Sequence, residues 1–484
     1  MGKMESCWVQ QLERCLSRVL LSNLMDVNMK ILFVYPNILR YPIIPVGVAS
    51  LLGVLREQGH EVTVFDATFL EDADLFRTLY SQVEKDAFDI IAIHCTSSDW
   101  KFVQMMLTGL DRNLSIRGVV KVIGGHHPTS KPSDVIAHPL IDVAVVGEGE
   151  LALVELVEAL ESGGGIRHVR NCWVKQSGTI WNNKQRPLIQ DLDLLPFPDW
   201  TKFDDRHLIQ HTQDSDSTWS RKIGIETSRG CPYSCSYCMN TYSRQLYAGM
   251  GGKFCRFKSV DRVIREARKA KWELNVGFIQ FVDDNFVGSM SRLREFSDRF
   301  PEEVGLPVFL HTSAEMISDE SIRLLKSMGL QRLGIGVETG NERYRKEMLH
   351  KNTTDIDIFN AVRLAKENGI IVTAYYMIGL PGDTRQSIEE TIRFNEGLNP
   401  SSCFVSTYFP FPGTPLHDVT VRSGVVSEFH YLPDFYGESI LKFGDLHGDE
   451  LKSYRTQFKN VIIDKGPFGR RDFGVLERSL ELMF

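Results

Sequence analysis

No stretch of the 484-residue chain reaches the roughly 18 uninterrupted apolar residues of a membrane-crossing helix, so a transmembrane protein is not expected. Internal repeats and low-complexity tracts are absent as well, which excludes solenoids and fibrous arrays. There is no surplus of basic residues: Lys+Arg is 55 against Asp+Glu 62, a net charge of -7. Such a balance gives no global attraction for nucleic acid or anionic membrane, though it leaves room for a local basic patch; nucleic acid is not expected as a partner. Cysteine is scarce, 9 residues in all, and Cys7, Cys15, Cys95, Cys172, Cys255 and Cys403 are scattered. An odd count with the remaining three tightly clustered argues against a disulfide framework and for a metal site. Residues 1–27 do not read as a signal peptide, because Glu5, Glu13 and Arg14 interrupt the apolar run. Trp8, Val9, Leu12, Leu16, Leu20, Leu21 and Leu24 share one helical face, so 1–28 reads as a helical extension docked on the first domain. The expected compartment is the cytoplasm.

What is present is an ordinary globular balance, 43% hydrophobic and 24% charged, in a chain long enough for about three domains. Residues 29–165 alternate short apolar strands (30–35, 61–66, 89–94, 119–123, 142–146) with helical patterns (45–58, 70–84, 99–112 and up to about 162). That rhythm predicts a doubly wound parallel sheet of Rossmann type, which binds ligands at the carboxyl ends of its strands. Residues 166–222 read as a hairpin followed by a polar linker. A second alternation fills 223–412, with strands at 223–227, 277–283, 307–312, 333–337, 370–378 and 403–409 and helices at 259–272, 290–300, 318–328, 355–368 and 385–397. Six such units are too few for an eight-fold barrel and predict a partial (β/α)6 barrel. Residues 413–484 read as a small helical region. The fold class is α/β throughout.

Directly after the first barrel strand comes Cys231-Pro-Tyr-Ser-Cys235-Ser-Tyr237-Cys238. Three thiolates at C-x3-C-x2-C can hold three irons of a [4Fe–4S] cluster, leaving the fourth iron free for a substrate or cofactor. The plainer reading is zinc, which wants four ligands in structural sites. No second C-x2-C pair exists, and Cys255 or a histidine would have to complete the set.

This signature resembles that of the radical S-adenosylmethionine (SAM) enzymes. The segments 281–286 (FVDDNF), 334–340 (GIGVETG), 377–382 (MIGLPG) and 409–415 (FPFPGTP) are similar to strand ends of the subgroup with an N-terminal cobalamin-binding domain. So are 45–51 (PVGVASL), 124–129 (GGHHPT) and 147–150 (GEGE), and the resemblance spans about 29–415. It implies that Cys231, Cys235 and Cys238 ligate the cluster, which cleaves SAM to a 5′-deoxyadenosyl radical. It implies SAM contacts from Tyr237, Asp283, Asp284, Ser313, Glu315 and Glu338: Tyr237 near the adenine, Asp283 and Asp284 near the amino group or nearby polar groups, Ser313 and Glu315 near the ribose or carboxylate, and Glu338 at the ribose hydroxyls or a neighbouring Arg. Packing or strand-end capping is the plainer role for each.

The D-x-H-x-x-G loop of many cobalamin domains is absent; Asp445-Leu446-His447-Gly448 carries Glu450 where the glycine should stand. Within this subgroup that does not exclude cobalamin. The candidate contacts are Thr96, Ser97 and Ser98, then Gly124, Gly125, His126 and Thr129, then Gly147 and Glu148, with tight turns as their alternative role. The leading expectation is a cobalamin-dependent C-methyltransferase acting on an unactivated carbon of a small molecule. It would be served by a flavodoxin- or ferredoxin-type electron donor. The alternative keeps the radical and not the methyl transfer, as in a dehydratase, epimerase or cyclase; Cys403 is then a candidate hydrogen donor, its plainer role a small buried hydrophobe. A non-catalytic or zinc-bound binding module is the third possibility. The substrate is not readable from fold or family.

Overall fold

The computed structural model describes residues 28–111, 116–210, 220–424, 441, 446, 448–462, 475, 476, 478 and 479. The expected helical extension, up to residue 27, the middle of the 201–222 linker and most of 425–484 lie outside them, as do Asp445 and His447.

The first sheet comprises β1 (Lys30–Tyr35), β2 (Glu61–Asp66), β3 (Ile90–His94), β4 (Val120–Gly124), β5 (Val143–Val145), β6 (Cys172–Gln176) and β7 (Thr179–Asn182), in the order β2-β1-β3-β4-β5-β6-β7. The first five strands are parallel. The β6–β7 hairpin is antiparallel to them. The hairpin expected in the connector is therefore the edge of this sheet; a hairpin pattern carries no information on which sheet it joins. Helices cover both faces, which is why the strands read as unbroken apolar runs. Leu32, Val34, Ile91 and Ile93 pack toward helices Asp72–Lys85 and Trp100–Asp111. Ile31, Phe33, Ala92, Val122 and Val145 pack toward helices Val46–Glu57 and Glu150–Glu161. Two short helices, His126–Ser130 and Pro132–Ala137, follow β4 and were not expected.

The second sheet contains the short β8 (Ile209–Gln210) and then β9 (Ser220–Ile225), β12 (Phe278–Phe281), β13 (Val308–His311), β14 (Leu330–Glu338), β15 (Ile371–Ile378) and β16 (Ser402–Thr407). The last six are parallel neighbours in chain order, a partial barrel of six βα units. Between β9 and β12, β10 (Ser228–Arg229) pairs with β11 (Arg256–Phe257) and brackets the cysteine loop. Along each barrel strand the side chains alternate. Ile279, Phe281, Leu310, Ile335 and Ala374 are buried toward the helices. Gln280, His311, Gly336, Tyr375 and Phe404 are half-buried on the other, concave side. Helices Met239–Leu246 and Glu342–Glu347 are additional to the five expected.

The two sheets share one apolar cluster, which runs from Leu52 and Leu153 of the first domain to Ile225 and Val260 of the barrel. A Cβ on Gly224 of β9 would stand 3.5 Å from Val46 Cγ2. The entry of the Val46–Glu57 helix thus rests on the barrel's first strand. In the tail, helix Gly448–Gln457 leads into residues 460–462, which bond along β16 at Cys403.

Candidate active site

The cysteine loop leaves β9 through Thr227, Ser228, Arg229 and Gly230. Gly230 has φ +85, and a Cβ there would stand 2.5 Å from Phe254 O, so glycine is required both by conformation and by space. The loop is then pinned from several sides. Arg244 donates to Cys231 O, Thr241 Oγ1 donates to Cys235 O at 2.8 Å, and Cys238 N–H donates to Cys235 O at 3.1 Å. Ser236 Oγ donates to Met348 O at 2.6 Å and its N–H to Leu349 O at 2.9 Å. Cys238 is the N-cap of helix Met239–Leu246, and Asn240 Nδ2 lies 3.8 Å from its sulfur.

All three cysteines are free and half-buried. Burial pushes the Cys231 thiol up to about 12 and Cys235 to about 11, and raises Cys238; neighbouring Asp284 or Glu338 adds to this, as do the other cysteines for Cys231 and Cys235. Three crowded thiolates repel, so their ionised form needs a strong compensating cation, which iron supplies as protons leave. Among the described residues no group of three His, Cys, Asp or Glu side chains is placed to hold a single metal ion. Three free thiols on one short loop are the donor set that an iron–sulfur cluster takes.

Asp283 and Asp284 part company. Asp283 is 3% exposed, and its Oδ1 accepts from Thr227 N–H at 3.0 Å, Thr227 Oγ1 at 3.0 Å and Ser228 Oγ at 2.5 Å. Through Oδ1 its carboxylate ties the end of β12 to the root of the cysteine loop, and its Oδ2 is buried with no hydrogen-bond partner. Asp284 is exposed, and its charge acts on Cys231, Cys238 and, from the first domain, His126. Ser313 Oγ donates to Glu315 Oε2 at 2.5 Å and Thr353 Oγ1 donates to the same oxygen at 2.9 Å. Burial works to raise Glu315, but hydrogen bonds led by Ser313 bring it below its usual range.

Glu338 ends β14 with φ +69, where the register against β15 slips by one residue. A left-handed glutamate at a strand end is a strained backbone, of the kind that gathers at functional sites. Tyr237 OH donates to its Oε1 at 2.9 Å and Lys351 Nζ to the same atom at 3.0 Å. Tyr237 packs against the apolar cluster of Leu349, Leu380 and Tyr408, so it supports Glu338 rather than standing free. Cys403 does not face the concave side. It is fully buried, its sulfur against Lys459 O at 3.4 Å, and burial pushes it up to about 12, so the hydrogen-donor expectation is corrected to packing.

On the first domain, a cleft opens between the carboxyl ends of β3–β5 and the cysteine loop. It has about 360 Å³ of space for solvent, and about 1380 Å³ free of atoms when its open mouth is included. Gly124, Gly125, His126, Thr129, Gly147 and Glu148 line it, with Asn240, Ser243 and Arg229 from the barrel side. Phe33, Val48, Ala92, Val122, Val145 and Leu153 form its deep apolar wall between the sheet and its helices. No atom stands within 4 Å of a Cβ placed on Gly47. Bare glycine backbone at the mouth and an apolar slot behind it fit a large flat ligand with an extended tail, as a corrinoid is.

Several expected contacts have other work. Thr96 donates to Asp99 from N–H at 3.0 Å and from Oγ1 at 2.6 Å, Ser98 bonds Thr96, and Ser97 bonds His127 at 3.2 Å. These three build the turn into helix Trp100–Asp111 and do not line the cleft. Thr129 Oγ1 donates to Gly125 O at 2.7 Å and accepts from Gly147 N–H at 3.0 Å. The open side of Gly147 is filled by the Tyr247 hydroxyl, which accepts from Glu148 N–H at 3.0 Å. The Glu148 carboxylate pairs with Arg256 at 2.7 Å and Arg229 at 3.2 Å, and Arg229 reaches Glu150 at 2.6 Å and Glu226 at 3.0 Å. Glu148 is thus an interdomain clamp. His94, Arg229, Arg256, Tyr247 and Lys351 were not singled out in the sequence. His94 alone left a trace there, as the last residue of a strand. It lines the cleft beside His126; burial, then the His126 charge, push it down to about 4.

Known proteins bear on this arrangement. Residues 225–394 match the radical SAM superfamily model and residues 38–157 the B12 binding domain model. An uncharacterized methyltransferase of Pyrococcus horikoshii is 30% identical over 389 residues, 79% of each chain. An anaerobic magnesium-protoporphyrin IX monomethyl ester cyclase of Rubrivivax gelatinosus is 25% identical over 463 residues, 91% of this chain and 79% of that one. The solved radical SAM methyltransferase TsrM from Kitasatospora setae, with cobalamin and a [4Fe-4S] cluster bound, superposes with a TM-score of 0.64 at 17% identity. The match covers 95% of this chain and 91% of that one, a likeness of fold.

Proposed function

The chain belongs to the radical SAM superfamily of enzymes and carries a B12-binding domain ahead of its barrel, and from that premise we propose that it is a cobalamin-dependent methyltransferase acting on a carbon of a small-molecule metabolite. The cleft carries this reading, because one continuous space touches both the glycine-rich sheet ends and, at Gly230 and Asn240, the residues that flank the cysteine loop. When bound, the cluster supplies the electron that cleaves SAM, and cobalamin supplies the methyl group. Cys231, Cys235 and Cys238 hold the cluster. Asp284 offers a carboxylate to the SAM ammonium from the exposed side of the β12 end, and Glu338 offers one to its hydroxyls. Gly124, Gly125 and His126 face the corrinoid, and the apolar wall from Phe33 to Leu153 takes its tail. The concave barrel face, with His311 Nε2 3.1 Å from Tyr375 OH, is where the substrate is read. A flavodoxin- or ferredoxin-type protein delivers the electron. The reducing cytoplasm, where clustered free thiols persist, is the compartment; no described helix is long and apolar enough to cross a membrane.

The cyclase relative favours a second reading, radical chemistry without methyl transfer. Anaerobic reconstitution with iron, sulfide and hydroxocobalamin separates the two. Four irons and one cobalt per chain, with S-adenosylhomocysteine formed beside 5′-deoxyadenosine, are the expected result. Iron without cobalt, with 5′-deoxyadenosine alone, would move the protein to the second reading. No iron uptake would sink both.

A further inference from the structure

Lys351 lies in no motif of the sequence, yet the fold delivers it to the cysteine loop. The chain leaves β14, turns through helix Glu342–Glu347 and folds back. Arg345, wholly buried, fixes the return: it donates to Thr339 O at 2.5 Å and Thr353 O at 3.3 Å and pairs with Asp355. The Arg345 carbonyl accepts from Lys351 N–H at 2.8 Å. The two hydrogen bonds of Ser236, between Cys235 and Tyr237, stitch residues 348–349 to the cysteine loop. Lys351 then meets Glu338 at 3.0 Å, with the two side chains 13% and 11% exposed. Space is reserved for this pair. A Cβ on Gly336 would stand 2.9 Å from Lys351 Nζ and overlap the Glu338 carboxylate. Burial works against the Lys351 charge, but Glu338, Cys235 and Glu315 together hold its ammonium above the usual range.

A buried ion pair is a weak device for stability alone, since apolar residues would fill the same space as well. Here the pair sits on a strained glutamate beside a cluster ligand. We propose that Lys351 is the counter-charge of the iron–sulfur cluster, setting its reduction potential and holding Glu338 in place. The inference rests on the cluster assignment above. Reduction takes one electron from an external one-electron donor. The charge of the oxidised cluster with its three thiolates goes from one negative unit to two. A fixed ammonium nearby favours the more negative state, and an unpaired carboxylate opposes it.

The test is an anaerobic redox titration of the reconstituted full-length chain, followed by electron paramagnetic resonance of the reduced cluster with dithionite as reductant. Lys351→Met is expected to shift the midpoint potential negative, Glu338→Gln to shift it positive, and the double variant to return it toward wild type. Lys351→Arg keeps the charge and should keep the potential. Iron counts and circular dichroism report cluster loading and folding. If Lys351→Met does not hold its cluster, Glu338→Gln and Lys351→Arg still decide the matter. Equal potentials in wild type and Glu338→Gln, or a lost potential in a folded, loaded Lys351→Arg, would overturn the proposal while leaving the cluster assignment intact. Failure of the wild-type chain to take up iron would overturn the assignment itself.

Discussion

Asp283 and Asp284 differ by one step of strand phase, and that step decides everything about them. Successive residues at a strand end face opposite ways. Asp283 turns into the protein and accepts three hydrogen bonds at the root of the cysteine loop, whereas Asp284 is exposed. A pair of adjacent carboxylates marks a site in sequence without saying which of them looks outward. Asp283→Ala strands the Thr227 N–H and two hydroxyls and should cost about 2–3 kcal/mol in chemical denaturation. Asp284→Asn should leave stability within about 0.5 kcal/mol and weaken SAM binding roughly tenfold, read by equilibrium dialysis. Burial raises Asp283 to about 6, against the lowering from Ser228 and Arg292. A carboxyl raised in the folded state stabilises below its unfolded value and loses that contribution as pH climbs through 6. The melting temperature of Asp283→Asn should therefore gain on wild type between pH 4 and 7. Parallel curves across that window would show that Asp283 does not titrate there. The cysteines, by contrast, could be singled out from the sequence, because their spacing alone puts three thiols on one short loop. Lys351 was not, because its partners Glu338 and Cys235 are chosen by a fold-back that no local pattern encodes.

Elements with a strong period were legible to within a few residues: 30–35 and 61–66 match β1 and β2, and 385–397 matches helix Arg385–Leu398. The unread helices are short, His126–Ser130, Pro132–Ala137, Met239–Leu246 and Glu342–Glu347, and too brief to show a face. Two of them also shape the site: His126–Ser130 puts His126 and Thr129 on the cleft, and Met239–Leu246 starts at Cys238. The contact between the β5 loop and the β10 strand was unreadable for a related reason. Arg229 stands two residues before Cys231 and binds Glu148 and Glu150 about eighty positions upstream, with Ser50 completing Glu150. Charge balance along the chain carries no hint of such a pairing. Arg229→Met leaves the buried Glu150 carboxylate without its cation, while Glu148 keeps Arg256, and removing one partner of such a network costs about 3–5 kcal/mol. We expect a drop of that size in urea, with faster loss of iron from the reconstituted protein on exposure to a chelator. Glu226→Gln removes only the more exposed partner and should cost less than half as much. Equal effects from the two substitutions would mean that the network is not centred on Glu148 and Glu150.

At the scale of the molecule, the order of the parts was readable and their facing was not. Alternating strands and helices declare two parallel sheets, and parallel sheets put their loops at the carboxyl ends of the strands. That the two loop sets should confront one another depends on the seat of the Val46–Glu57 helix against Gly224 and on the arginine clamp, both products of packing between distant segments. The facing makes a cleft whose occupancy can be tested without touching either cofactor's expected contacts. Gly47 lies in the first turn of that helix, exposed on the cleft, with nothing within 4 Å of an added Cβ and an ordinary negative φ. Replacing it with phenylalanine strains no backbone, and removing a helical glycine is favourable by up to about 1 kcal/mol. The ring then occupies the cleft beside Val48 and Leu51. Gly47→Phe should fold with unchanged or slightly higher stability and take up iron like wild type. It should lose the corrin absorbance that survives gel filtration in the wild-type protein. Retained corrin in a folded, iron-loaded Gly47→Phe would place the cofactor elsewhere and separate the cleft from the chemistry. Loss of iron together with corrin would instead mean that the first domain and the cysteine loop assemble as one unit, so that the cleft is a condition for the cluster as well as a seat beside it.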